Sequence, residues 1–177
     1  RVALRPDCDD GAPAELGSLL SWLARRRPQL QIRILKWDFG AIKLLGRGST
    51  IFRLAQWTLQ RGISFKLDAA HPPSASQHHK IAVLDDSLAF CGGIDMTAAR
   101  WDRRAHEARD PQRRRPTTGR LYGPWHDATM ALSGDAARAL GDYARRRWRQ
   151  AGGEAIAPPQ ADGDPWPESL VPDFRDA

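Results

Sequence analysis

Cysteine is scarce in this chain: Cys8 and Cys91 are the two among 177 residues. Two cannot build a disulfide framework, and no C-x2-C pair of the kind that ligates zinc is present. Cys91, inside Ala89-Phe90-Cys91-Gly92, reads as a small buried side chain. No apolar run approaches the roughly 20 residues needed to span a bilayer. No internal repeat is visible, and no signal peptide opens the chain. The chain begins at Arg1 without a methionine, so its natural N-terminus is expected to lie further upstream. These absences exclude a disulfide-stapled scaffold, cysteine-ligated zinc and a helical membrane span. They leave the compartment open, with a cytoplasmic or peripheral-membrane location favoured.

What is present suits one domain with a real core. Hydrophobic residues make up 41% and charged residues 27%, an ordinary globular balance. The net charge of +6 comes largely from arginine, with runs at residues 25–27, 113–115 and 145–147. Such a balance suits anionic lipid surfaces, nucleic acid or phosphodiesters. A solvated arginine-rich surface is the plainer reading of each run.

Leu16, Leu19, Leu20 and Leu23 recur at helical spacing and predict an amphipathic helix over residues 13–27. Residues 30–37 alternate as a strand, Ser49 can cap a helix reaching residue 60, and residues 63–67 form a second strand. That βαβ order implies neighbouring parallel strands. A motif strand follows the loop at 69–77, and Asp85-Asp86-Ser87 turns it into a short strand at 88–91. Residues 97–123 carry much charge and little apolar periodicity, the mark of a long loop kept for function or left mobile. Strand character returns at 125–132. A final helix over 134–150 lines up Ala137, Leu140, Ala144 and Trp148. The expected fold is α/β, a mixed sheet with helices on both faces. Residues 1–152 form the catalytic part and 153–177 a Pro-rich tail.

The chemistry concentrates in His78-x-Lys80-x4-Asp85-x6-Gly92-Gly93. A strand sends alternate side chains to opposite faces, so His78 and Lys80 point the same way. A phosphodiester is shielded by anionic oxygens, and its attack needs both a nucleophile and local positive charge. His78 supplies the first and Lys80 the second. His79 faces the other side and is structural. Gly92 and Gly93 let backbone approach where a side chain would obstruct. Asp95 could orient a ligand of the phosphate pocket or cap the next turn. A nucleophilic histidine needs a partner on its other ring nitrogen, and Asp127 in Trp125-His126-Asp127 is the candidate. The competing reading makes His78 a surface histidine beside a solvated lysine.

This spacing resembles the signature of the phospholipase D superfamily. Gly92-Gly93-Ile94-Asp95-Met96-Thr97, Arg100-Trp101-Asp102 and the stretch from Tyr122 through Arg149 resemble it too. Together they cover most of residues 30–150 and are similar to the first half of bacterial and plant-like two-motif phospholipases D. The resemblance implies a phosphohistidine on His78, phosphate held by Lys80, Gly92, Gly93 and Asp95, and catalytic places for Asp85 and Asp127. Asp85, at the far end of its strand, fits packing better than substrate contact. Asp102 and His106 fall where the substrate mouth is expected, although a salt-bridged loop is favoured for His106. No metal or other cofactor is implied. The implied partners are a phospholipid and an anionic membrane surface, with nucleic acid disfavoured.

In that superfamily two such motifs face each other, one histidine bonding phosphorus and the other serving the leaving alcohol and then water. This chain has one. The missing motif is expected from a second half beyond the Pro-rich tail, or from a homodimer partner. The rival activities are a cardiolipin-synthase-like phosphatidyl transfer, a nuclease, or a non-catalytic half that binds phosphate or anionic lipid.

Overall fold

The computed structural model describes residues 10–37, 57, 59–72, 75–97, 99–115, 118–160, 163 and 165–174. The chain divides into two compact units. Unit 1 comprises Arg1–His78 and Ile94–Asp127, and unit 2 comprises His79–Gly93 and Ala128–Ala177.

In unit 1 the leucine stripe forms α1, Leu16–Arg26, with Ala24 buried and Arg25 and Arg26 in its last turn. Cations there complement the helix dipole. Strand β1, Ile32–Trp37, runs parallel to β2, Ile63–Asp68, in a register from Ile32↔Ile63 to Trp37↔Asp68. Parallel neighbours need a long crossover. The helix expected over 49–60 lies outside the described residues except at its end. There Trp57 Nε1 donates to Ser21 Oγ (3.1 Å) and Gln60 Nε2 to the Ser21 carbonyl (2.9 Å), tying the crossover to α1. Gly62 turns the chain into β2 at φ +85, where a Cβ would sit 2.8 Å from the Leu30 carbonyl. At the other end of β1, Trp37 Nε1 donates to His71 Nε2 (3.0 Å), which leaves His71 Nδ1–H to donate to the Pro72 carbonyl (3.0 Å).

Unit 2 is an antiparallel sheet in the order β3-β4-β5, from Lys80–Leu84, Leu88–Gly92 and Thr129–Ser133. The second helix, α2, Gly134–Gln150, packs against all three strands. The β3–β4 turn places Asp85 at φ 48 and Asp86 at φ 56, and the Ser87 amide donates to the Leu84 carbonyl (3.1 Å). Two successive positive φ angles suit a hairpin turn, and aspartate tolerates them. The Asp86 carboxylate then reaches Arg145 of α2 (2.7 and 2.8 Å), which also meets Asp142 (2.7 Å). A Cβ at Gly141 would overlap that carboxylate, so glycine is what lets the turn dock on the helix. The predicted helix stripe is the buried one: Ala137 and Trp148 are 0% and 3% exposed. After α2 the chain folds back. The Gly153 amide donates to the Trp148 carbonyl (2.9 Å), and Trp148 Nε1 donates to Glu154 (3.1 Å).

The α/β class is as expected, with parallel and antiparallel strands in two separate sheets. Several boundaries differ by a few residues, with α1 opening at Leu16 and β1 at Ile32. The last strand begins at Thr129 rather than residue 125, because the Trp125 amide donates to the Asp102 carboxylate (2.8 Å). That bond holds Trp125 in unit 1 instead of the ladder.

Candidate active site

Lys80 opens β3 and pairs directly with Gly92, which pairs in turn with Thr129. Residues opposite one another across a ladder share a face. A Cβ on Gly92 would overlap the Ala128 carbonyl and come within 2.6 Å of Thr129 Oγ1. Glycine is therefore dictated by the close approach of β5, and it leaves bare backbone beside Lys80. Gly93 continues the row by donating its amide to the Ala128 carbonyl (3.1 Å). Thr129 places a hydroxyl in this row that residue-type reasoning overlooked. The register that places it there arises only from strand pairing.

The motif strand starts later than expected: β3 opens at Lys80, so His78 and His79 precede it and strand alternation does not extend to them. His79 is placed instead by Tyr143. His79 Nδ1 lies 3.1 Å from the Tyr143 hydroxyl of α2, and the two rings meet edge to face at 5.2 Å. Asp85 sits exposed in the hairpin turn, at the opposite end of β3 from Lys80. Five residues at about 3.3 Å each separate the two ends of that strand. His78 is exposed and ends the first segment of unit 1. Asp127 is half-buried and ends the second, and Asp95 lies near the start of that second segment.

Among its described residues, the loop expected at residues 97–123 is held by charge. Asp102, with its side chain 7% exposed, accepts from the Arg103 amide (2.8 Å), the Trp125 amide (2.8 Å) and Arg113 Nη1 (2.8 Å), and His106 Nδ1 lies 2.9 Å from it. Burial alone would push its carboxyl upward. The Trp125 and Arg103 amides and the Arg113 guanidinium outweigh burial and lower it to about 2. Arg113 is 0% exposed and also donates to the Glu107 carbonyl. Asp110 accepts from the Gln112 amide (2.8 Å) and Arg103 Nε (2.8 Å), and the Gln112 bond leads in holding its carboxyl below the usual range. Tyr122 donates to the Trp101 carbonyl (3.0 Å), closing the loop.

Around this centre lies a groove of about 400 Å³ whose wall includes Arg100, Asp102, Arg104, His106, Trp125 and Asp127. Arg100 stacks on the Trp125 ring (3.9 Å to the centroid) and reaches the Asp95 carboxylate at 3.7 Å. His106 takes the ion-paired place favoured for it. The structure thus gathers Lys80 with Gly92 on one ladder and Asp127 with Asp102 and His106 around one groove. It sets Asp85 apart from Lys80. Arg113 and Asp110, the buried core of this loop, escaped sequence reasoning because charged residues without periodicity read as solvated. Among the described residues no group of three His, Cys, Asp or Glu is arranged to hold a metal, and no helix is long and apolar enough to cross a membrane.

No protein-family model matches the chain. Curated relatives do. A phospholipase D of Phytophthora infestans is 28% identical over 99 residues, covering 41% of this chain and 6% of that protein. Phospholipase D1 of Cricetulus griseus is 30% identical over 117 residues, covering 63% of this chain and 11% of that protein. Phospholipase D1 of Homo sapiens is 29% identical over 117 residues, with the same 63% and 11% shares. The chain spans only about a tenth of the length of such relatives. These partial matches support the phospholipase D superfamily and, at that level, a hydrolase of the phospholipase D type.

Proposed function

We propose that the chain is one catalytic half of a phospholipase D-type phosphodiesterase that cleaves the distal phosphodiester of phospholipids at a peripheral membrane surface. The observation that carries this reading is the register of Lys80 against Gly92, with the glycine dictated by β5. It sets Lys80 beside the bare backbone of Gly92, which supports a phosphate cradle there.

One ring nitrogen of His78 attacks phosphorus, and the other keeps its proton in a hydrogen bond to Asp127 throughout. The bond from phosphorus to the head-group oxygen breaks, and that oxygen leaves with the electron pair. Lys80 draws charge from the non-bridging oxygens, aided by the backbone at Gly92 and Gly93 and by Asp95 through Arg100. A second motif, from a further half or a second copy of the chain, protonates the leaving alcohol. It then takes a proton from water as water breaks the nitrogen–phosphorus bond. No metal enters any step. Asp85 serves by setting the hairpin turn that fixes β3 against β4.

In the assembly carrying both motifs, His78→Asn is expected to abolish turnover and phosphoenzyme alike. Lys80→Ala is expected to impair binding and chemistry together. Asp127→Asn should lower kcat by roughly 10²–10⁴-fold with KM little changed. Unchanged turnover in His78→Asn contradicts the proposal. A non-catalytic phosphate-binding half is the second reading, favoured by the single H-x-K in the chain. The names of the matched relatives favour hydrolysis over phosphatidyl transfer or a nuclease.

A further inference from the structure

The unit 1 groove has spare donors and saturated carboxylates. Asp102 accepts three N–H bonds and has His106 Nδ1 2.9 Å away, which leaves a carboxylate little further capacity. Asp127, also in the wall, is engaged as well. Arg100 Nε is buried without a hydrogen-bond partner, a condition that calls for an explanation. Arg104 lines the groove and, among the described residues, meets no hydrogen-bond or ion-pair partner. His126 presents a further ring nitrogen, its ring 6.0 Å from that of His106. A concave space whose acids are engaged while Arg104 and the Arg100 Nε are not selects an acceptor-rich anion.

We propose that this groove is an anion subsite that takes a phosphate-bearing group, with Arg104 and His126 contacting its oxygens and the Arg100 stack on Trp125 forming the wall behind. The choice of phosphate among anions rests on the phosphodiesterase reading above; the excess of donors does not. The phosphate of a lipid head group and free phosphate share this chemistry.

Calorimetric titration of the chain with inorganic phosphate tests one source. Co-sedimentation with phosphatidylcholine vesicles, with and without phosphatidic acid, tests the other. Arg104→Ala and His126→Ala should each weaken binding roughly tenfold. Arg146→Ala, which removes an exposed arginine of α2, should leave it unchanged. Phosphate binding without a gain for phosphatidic acid assigns the subsite to the free anion. Sedimentation that phosphatidic acid strengthens and Arg104→Ala removes assigns it to the lipid. Undiminished binding by Arg104→Ala, or an equal loss in Arg146→Ala, overturns the subsite. Loss in Lys80→Ala alone overturns it too while leaving the phosphodiesterase reading in place. Binding through Arg104 in a chain that never forms phosphohistidine does the reverse.

Discussion

In unit 2 the sheet β3-β4-β5 is held by backbone ladders and by an apolar helix stripe, and its side-chain ion pairs merely pin one turn to α2. In unit 1 the segment from Asp95 to Asp127 has a single isolated bridge among its described residues, Arg114 with Leu121. Its order comes from Asp102, Arg113, Asp110 and Arg103. The two regions depend on different physics. Apolar burial is indifferent to proton concentration, whereas a carboxylate shared among three donors must stay ionised to hold them. Backbone pairing therefore fixes Lys80 beside Gly92 in unit 2, while an electrostatic knot orders the unit 1 loop.

The sharpest way to break this contrast is Trp148→Ala, which empties the best-filled part of the unit 2 core. Its expected cost is about 3–5 kcal/mol, read by denaturant unfolding and by loss of amide protection along α2. A cost near zero would mean that unit 2 does not rest on apolar packing. Gly141→Ala should cost less, about 1–3 kcal/mol, because the Asp86 carboxylate must give way. Combining it with Asp86→Ala should recover part of that loss, whereas simple additivity would remove the explanation. The smallest expected effect is the acid response of unit 1. The Asp102 carboxyl is lowered from 3.8 to about 2 in the folded chain. Its contribution to stability is thus fully present above about pH 4 and fades as pH falls toward 2. Tryptophan emission, which includes Trp101 and Trp125, should report this loosening, and Asp102→Asn should flatten that part of the profile. An identical profile in Asp102→Asn would place the order of the loop elsewhere.

The same contrast explains what was legible in the sequence. Leu16, Leu19, Leu20 and Leu23 announced α1, alternation announced β1 and β2, and the small-residue stripe announced α2, since burial leaves a period. The motif announced Lys80 and the glycines, though not their register. Thr129 stayed hidden because its neighbourhood arises only when strands pair. The start of β5 was misjudged because a side chain 23 residues away, Asp102, captures the Trp125 amide. Arg113 looked like one more solvated arginine in a basic run. Nothing in periodicity distinguishes a fully buried guanidinium from an exposed one when its partners lie in the same irregular loop.

The central claim is that His78 bonds covalently to phosphorus, and it can be tested on this chain even without the second motif. A phosphatidyl ester of p-nitrophenol needs no acid to expel its leaving group, so the first half-reaction can run alone. The account predicts one burst of p-nitrophenolate, at most equal to the sites present, and a phosphatidyl adduct on His78 by mass spectrometry, both lost in His78→Asn. Steady turnover would point to a second copy of the chain completing the site. An adduct absent from the parent chain, or undiminished in His78→Asn, would contradict the account.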